Sequence, residues 1–479
     1  MVNSMFDLTL DVPPAAELAP VHFVGVGWVG MSGIARIMLA RGLEVSGSDA
    51  KDLPVLAALR ALGGDCEAGF DPERAAKART VVASSAIRAD NPEIVHARSD
   101  GLQVLHRSQA LHALMQGRRA VAVAGTNGKT TTSSMLTVML QHAGWDPSFA
   151  IGGDLMAAGT NAHDGSGPVF VAEADESDSS FLVYEPELSM VTNVQPDHLD
   201  HYGTPEAVEA AFSDFAARLA PDGLLVACVD DPGAARLAAA VASAGRRVLT
   251  YGSSADADVR LDDVEPVGER IGFTLVESGR RVGRVELRVP GWHNALNAAG
   301  AYAAATALGL PSASAREGLE SFTGTRRRFE QRGESGGVRV FDDYAHNPAK
   351  VAAAVATGRQ VAGSGSLLVV FQPHLYSRTL DFAAAFGEAL AAADHVVVMD
   401  VYAAREDPVP GVTGALVADA IPLAAGRVAY VPSWSAVAAE VASRVAAGDL
   451  VLTVGAGDVT MMGREVLTLL DGSRPREAS

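Results

Sequence analysis

Along this chain, short apolar runs end abruptly in glycine or polar residues, and most are followed by a longer segment with helical spacing. VHFVGV, starting at Val21, leads through a glycine turn into MSGIARIMLARG. EVSGSD then leads into PVLAALRALG, and TVVASSAI adds a further strand. Buried strands alternating with amphipathic helices predict a parallel sheet with crossover helices. This first series should end in the polar stretch at residues 116 to 119. A second series opens with AVAVAG and continues through VFVAEADE, LSMVTNV and GLLVACVDD, with helical segments such as EAVEAAFSDFAARLA between them. Residues 258 to 290 differ, because short alternating runs broken by glycine and charged pairs predict antiparallel strands. Helix returns with NALNAAGAYAAATALG. After Arg326, Arg327 and Arg328 a third series runs through VRVFDDYAH, LLVVFQPH, HVVVMDVYAARED and LVLTVGAGD. Open parallel sheets bind ligands beyond the carboxyl ends of their strands, so the polar endings of these runs are where chemistry belongs.

Length and composition narrow this picture. A chain of 479 residues is too long for one core, and domains of roughly 100 to 200 residues make three the working number. The expected boundaries are 1–117, 118–325 and 326–479. Apolar residues are 48% and charged residues 20% of the chain, as in ordinary globular proteins. The formal charge of -19 argues against nucleic acid or an anionic membrane as a partner, since both need a basic surface. Any phosphate must therefore be held locally. Cys66 and Cys228 are far apart and match no metal-ligand spacing, which fits a reducing compartment. The first residues carry acids where a secretory leader would carry positive charge, and no apolar run approaches a membrane span of about 20 residues. A cytoplasmic protein is the expectation. Basic residues are overwhelmingly arginine; the lysines are Lys51, Lys77, Lys129 and Lys350.

That scarcity makes Lys129 informative, because it sits in Gly125-Thr126-Asn127-Gly128-Lys129-Thr130-Thr131 between an apolar strand and a helix. Glycines let backbone N–H groups approach phosphate oxygens, Lys129 offers a charge to the terminal phosphates, and the Thr130 hydroxyl can reach Mg²⁺. A full Walker pattern would also ask for glycine at Val123. Glu173, Asp175, Glu176 and Asp178 end one strand, and Asp197, His198 and Asp200 follow another. Hard oxygen ligands beside a phosphate loop suit Mg²⁺.

Near the start, Gly25, Gly27 and Gly30 form a complete GxGxxG after a strand, with Asp49 about 20 residues on, as dinucleotide sites require. These parts fit a nicotinamide or flavin cofactor, or any nucleotide diphosphate with its ribose on Asp49. His293, Asn294 and Asn297 open an alanine-rich helix and could meet a base, although asparagine also caps helices. Arg328, Asp343, His346, His374 and Arg378 lie around strand ends of the third series and suggest an anionic substrate with a proton-handling step.

Together these segments resemble the Mur ligase family over nearly the full chain. GVGWVGMSGIA with GSD, AGTNGKTTT, EADESDSSFL, TNVQPDHLDHYG, PGWHNALNA, RRFEQRG, DDYAHNP, FQPHLYSRT, VYAAREDPVPG and VGAGDV occur in the family's order. MSGIA, EADESDSSFL and FQPH are similar to the branch that adds L-alanine to UDP-N-acetylmuramate. The resemblance implies an α/β fold of three domains: a Rossmann-like parallel sheet, a central P-loop-type ATPase domain with a small antiparallel sheet, and a second Rossmann-like domain. It implies ATP and Mg²⁺, an acyl-phosphate intermediate, and an L-alanine amide as product, the first amino-acid addition to the peptidoglycan precursor. A monomer or weak homodimer is expected.

By the same resemblance, the UDP-substrate is held by Gly25, Gly27, Gly30, Ser32, Asp49, Ser84, His106 and Arg107. ATP is held by residues 125 to 131 with His293, Asn294, Asn297, Arg328 and Asp343. Thr130, Glu173 and His198 are the metal ligands, and Lys129, His198, His346 and Arg378 the catalytic set. Four positions depart from the branch pattern: Asn127 and Asn347 stand where histidine is usual, Trp28 where a small residue is, and Leu375 where arginine is.

Three other functions remain open at this point. A sister ligase, or a murein-peptide ligase, would share the chemistry but add a different amine. An oxidoreductase would use GxGxxG but leave Lys129 and the acids without a role. A catalytically silent UDP-sugar-binding regulator would leave the phosphate loop idle.

Overall fold

The computed structural model describes residues 5–404 and 406–472. Two compact units are present. The first runs to residue 264 and includes 272–287 and 294–323; the second holds 265–271, 288–293 and the chain from 324 onward.

The first unit contains two sheets. In the first, β1 (Val21–Val24), β2 (Val45–Asp49), β3 (Asp65–Ala68), β4 (Thr80–Ala83) and β5 (Gln103–His106) are all parallel, in the order β3-β2-β1-β4-β5. The central strands β1 and β4 are fully buried, which is why they read as apolar runs. The edge strand β3 buries only Cys66, so its sequence DCEA carries no strand pattern. The helix α1 (Val29–Ala40) follows the glycine turn and buries Met31, Ile34, Ala35, Ile37 and Met38.

The second sheet has ten strands: β6 (Arg119–Ala124), β7 (Ser148–Leu155), β8 (Thr160–His163), β9 (Val169–Glu173), β10 (Leu188–Val191), β11 (Leu224–Cys228), β12 (Arg247–Gly252), β13 (Val259–Val267), β14 (Arg270–Glu277) and β15 (Arg280–Leu287). Its order is β15-β14-β13-β12-β11-β10-β6-β9-β7-β8. The antiparallel strands expected after residue 258 continue this ladder, since β13 pairs parallel with β12. Two-residue connections, Gly268-Glu269 and Ser278-Gly279, join β13 to β14 and β14 to β15, and only antiparallel neighbours permit that. β6 lies in the middle of the parallel part, between β9 and β10. Helix α2 (Lys129–His142) leaves its carboxyl end, and α3 (Trp292–Ala307), with alanine at most of its buried positions, comes close enough to β12 that a Cβ on Gly300 would stand 2.6 Å from the Tyr251 ring.

The second unit carries β16 (Glu330–Ser335), β17 (Val338–Asp343), β18 (Leu367–Phe371), β19 (His395–Val398), β20 (Val428–Tyr430) and β21 (Leu450–Val454), in the order β16-β17-β21-β18-β19-β20. All neighbours are parallel except β16 and β17. Helices α4 (Pro348–Ala362) and α5 (Tyr376–Leu390) follow β17 and β18. Among the described residues no helix is long and apolar enough to cross a membrane.

Candidate active site

The candidate phosphate loop turns between β6 and α2, and its shape follows from its glycines. Gly125 has φ +134 and Gly128 φ +86, where L side chains are strained. A Cβ on Gly125 would stand 2.0 Å from the Thr192 hydroxyl, and one on Gly128 would stand 2.6 Å from Asn297 Oδ1. The loop is fixed from its β10 side. Asn127 N donates to Asn193 Oδ1 at 2.8 Å, Asn193 Nδ2 donates to Asn127 O at 3.0 Å, and Thr192 Oγ1 donates to Asn127 O at 2.5 Å. Gln195 N donates to Thr126 Oγ1, its Oε1 accepts from Asn127 Nδ2, and its Nε2 donates to Asp231. The asparagine at 127 thus has its own side-chain partner.

Lys129 points back across the loop. Its ammonium donates to Gly125 O at 2.6 Å and to both Glu176 oxygens, at 2.6 and 2.9 Å. Burial alone would depress this ammonium, but Glu176, Asp175 and Glu173 outweigh it and hold its pKa above the ordinary lysine value. Lys129 therefore carries its charge at neutral pH.

On the other side of β6, Glu173 ends β9 in register with Val123 and accepts from Gly152 N at 2.8 Å. Thr130 is buried in the first turn of α2. His198 adopts φ 53 and ψ 38, and its Nε2 lies 3.9 Å from both Glu176 Oε1 and Asp197 Oδ2. The Asp200 side chain is outside what the structure describes. The acids after Glu173, expected as hard ligands, are each matched to a cation or hydroxyl. Asp175 takes Arg107 at 2.8 Å, Glu176 takes Lys129, and Asp178 takes Ser85 Oγ at 2.6 Å and lies 3.4 Å from His106 Nε2. No group of three or more His, Cys, Asp or Glu able to hold a metal occurs among the described residues. Mg²⁺ needs fewer, since it usually takes one or two carboxylates and fills the rest with water and phosphate oxygens.

In the first sheet, the glycine turn closes over the end of β2. Gly27 N donates to Asp49 Oδ2 at 3.0 Å, and a Cβ there would collide with that carboxylate at 2.7 Å. Ser32 lies in the first turns of α1, and Ser84 just after β4; both are buried. Arg107 Nη1 lies 3.8 Å from where a Gly30 Cβ would be, so its guanidinium stands at the glycine turn. His106 is 1% exposed and donates or accepts at Ser108 Oγ. Trp28, the departure in this turn, is 62% exposed.

At the start of α3, Asn294 and Asn297 are buried, while His293 is exposed. In the second unit, Asp343 ends β17 and accepts from Phe329 N and Ala345 N, both at 2.8 Å. Burial pushes its carboxyl up to about 6, against the pull of Arg328 and the two N–H donors. Burial, with Lys350 and Arg378 alongside, holds the His346 imidazole well below its usual value, so it is neutral at pH 7. His346 Nδ1 is 3.0 Å from Tyr344 O; a carbonyl only accepts, so Nδ1 carries the proton and Nε2 presents a lone pair. Arg378 Nη1 approaches His346 O at 3.4 Å. His374 stacks on Tyr402 with centroids 5.8 Å apart. Asn347 caps α4 through Lys350 N at 2.9 Å, a role asparagine fills well. Leu375 has φ 68 and ψ 138, a glycine-like conformation that concentrates at functional sites.

Arg327 was legible only as one of three arginines. It donates to Asp342 Oδ2, Gly455 O and Gly457 O, and its guanidinium carbon lies 4.7 Å from the Tyr344 ring centroid.

A glycine-and-lysine phosphate loop in the middle of a parallel sheet, bordered by a strand-end carboxylate and a histidine, defines a nucleotide-using α/β enzyme. Three family models match in succession: the Mur ligase family catalytic domain over residues 20–119, the Mur ligase middle domain over 123–305, and the Mur ligase glutamate ligase domain over 327–457. The chain belongs to the Mur ligase family, an enzyme family of ATP-dependent ligases. It is 60% identical to the UDP-N-acetylmuramate–L-alanine ligase of Kineococcus radiotolerans, over 96% of this chain and 98% of that one. It is 56% identical to the ligase of the same name from a Nocardioides species, over 96% and 98%. The crystal structure of UDP-N-acetylmuramate-alanine ligase from Thermotoga maritima superimposes with a TM-score of 0.80 at 29% identity, covering 95% of this chain and 99% of that one.

Proposed function

We propose that this enzyme joins L-alanine to UDP-N-acetylmuramate at the expense of ATP, through an acyl phosphate of the lactyl carboxylate, in the cytoplasm. The observation that carries the reading is the charged Lys129 in a glycine loop flanked by Glu173, at the end of β9, and by His198, in the segment that follows β10. Relatives named for this reaction, matched nearly end to end, support the choice of alanine over a sister ligase or a murein-peptide ligase.

In this reading Gly25, Gly27, Gly30, Ser32, Asp49, Ser84, His106 and Arg107 hold the UDP-sugar. Residues 125 to 131 hold the ATP phosphates, with His293, Asn294, Asn297, Arg328 and Asp343 completing the nucleotide contacts. Thr130, Glu173 and His198 would hold Mg²⁺, which when bound supplies positive charge to the phosphate oxygens. The carboxylate oxygen of the sugar attacks the γ-phosphorus and ADP leaves. The alanine nitrogen then attacks the acyl carbon and phosphate leaves. Lys129 and Arg378 screen the anions that these steps bring together. The neutral His346 presents Nε2 as an acceptor for the amine proton.

ADP and phosphate release, measured with UDP-N-acetylmuramate and each candidate amino acid, tests the reading. L-alanine should be the best amine, and equal or faster turnover with D-glutamate would overturn it. Chelation of divalent metal should abolish release. A monomer or weak homodimer is proposed, and sedimentation velocity checks it.

A further inference from the structure

The acidic segment that follows Glu173 does more than border the phosphate loop. Each of its carboxylates reaches a different element. Asp175 Oδ2 accepts from Arg107 Nη2 at 2.8 Å. Asp178 Oδ2 accepts from Ser85 Oγ at 2.6 Å and lies 3.4 Å from His106 Nε2, while Ser85 Oγ is also 3.2 Å from that ring nitrogen. Between them in sequence, Glu176 holds Lys129. The segment is tied down from within, since Asp175 Oδ1 accepts from Ser177 N and Asp178 Oδ1 from Ser180 N. Two groups at the end of β5, of which Arg107 reaches the glycine turn, are therefore fixed by side chains of the segment that follows β9.

We propose that Asp175 and Asp178 are positioning residues for the sugar nucleotide: they hold Arg107 and His106 in place for the UDP-substrate while touching no substrate themselves. An arginine has many rotamers, and a fork held on one side by a carboxylate has already lost most of that freedom. The Gly30 end of α1 is the positive end of a helix, where a guanidinium is unfavourable unless an anion faces it. Asp175 supplies such an anion from one side, and leaves the remaining Arg107 donors for a substrate oxygen. The Ser85 hydroxyl, bonded to Asp178, extends the same clamp to His106.

This inference rests on the proposed function, and the experiment separates the two. Asp175→Asn and Asp178→Asn are compared with Asp175→Glu, Arg107→Ala and the double variant Arg107→Ala/Asp175→Asn. KM is measured separately for UDP-N-acetylmuramate and for ATP, and binding of UDP-N-acetylmuramate alone is followed by calorimetry. Asp175→Asn should raise KM and Kd for the sugar nucleotide by about tenfold, the worth of one charge-assisted hydrogen bond. KM for ATP should move less than about twofold, Asp175→Glu should recover most of the loss, and Asp175→Asn should add nothing in the Arg107→Ala background. Equal shifts in both KM values, or full additivity in the double variant, would overturn it. If wild-type protein failed to ligate alanine yet its sugar-nucleotide affinity still fell in Asp175→Asn, the proposed reaction would fail and the positioning role would stand.

Discussion

Lys129 Nζ lies 2.6 Å from Glu176 Oε2, and the glutamate is only 2% exposed. The lysine of the glycine loop is therefore neutralised by a carboxylate of the protein itself. A buried ion pair is costly to break from one side, because the survivor keeps its desolvation penalty without its partner.

Lys129→Ala should accordingly fail twice. ADP release should fall on the order of a thousandfold, as when a preorganised donor to transition-state charge is removed. Stability in urea should fall by about 3 kcal/mol, since Glu176 is left unpaired. Adding Glu176→Gln to Lys129→Ala should return most of the stability and none of the activity. Recovery of turnover in the double variant, or an unchanged unfolding midpoint in the single one, would refute the paired role.

This pair also marks how far the sequence could be read. Gly125, Gly128 and Lys129 are legible because a phosphate loop is a local device, complete within seven residues. β1, β6 and β18 are legible because strands buried on both faces are made mostly of apolar residues. β3, with one buried residue, and β16, with sequence EQRGES, leave no such trace; β16 is an edge strand paired only with β17. The partners of the acids were beyond reach for another reason. Asp175 meets Arg107 across 68 residues, Glu176 meets Lys129 across 47, and Asp178 meets Ser85 across 93. Only tertiary packing decides which cation each acid receives, so EADESD reads equally as a metal cluster or as a set of counter-ions.

Gly125→Ala tests the loop's backbone. At φ +134 an alanine is strained, and its Cβ would stand 2.0 Å from the Thr192 hydroxyl and 3.1 Å from two backbone nitrogens. Since the loop's other anchors run through Asn127 and Asn193, the strain should displace the N–H groups proposed to cradle phosphate. A misplacement of this kind costs about a hundredfold in turnover. Steady-state ADP release should show it mainly as lost kcat/KM for ATP, with KM for the amino acid little changed. Wild-type kinetics in Gly125→Ala would mean the loop does not hold the nucleotide.

A pH dependence is expected from Asp343, whose carboxyl is raised from 3.8 to about 6. The folded state holds that proton more tightly than the unfolded chain does. Its stabilising contribution is therefore complete below pH 4 and is lost as pH rises through 6. The span amounts to about 3 kcal/mol. Asp343→Asn removes the titration and one of the two acceptors used by Phe329 N and Ala345 N. The stability advantage of wild type over Asp343→Asn should thus be large at pH 4.5 and shrink, or reverse, at pH 7.5. Chemical denaturation at several pH values gives the difference directly, and a gap that widened with pH would show the sign to be wrong.

Arg327 offers the strictest test of the second unit. Its Nε reaches Asp342 Oδ2 at 3.3 Å, and its Nη2 donates to Gly455 O at 2.8 Å and Gly457 O at 3.3 Å. Asp342 is wholly buried, and its other contacts are the hydroxyls of Thr453 at 2.6 Å and Thr460 at 2.7 Å. Removing the guanidinium leaves that carboxylate with hydroxyl donors but no ion-pair partner among the described residues, so Arg327→Ala should cost about 3 kcal/mol in urea unfolding. Arg327→Lys should recover less than half, because one ammonium cannot reproduce a planar fork that serves a carboxylate and two carbonyls together. Arg327→Ala/Asp342→Asn should be more stable than Arg327→Ala alone, since the buried charge is gone. If lysine restored full stability, point charge alone would suffice at this position, and the fork geometry would carry no weight.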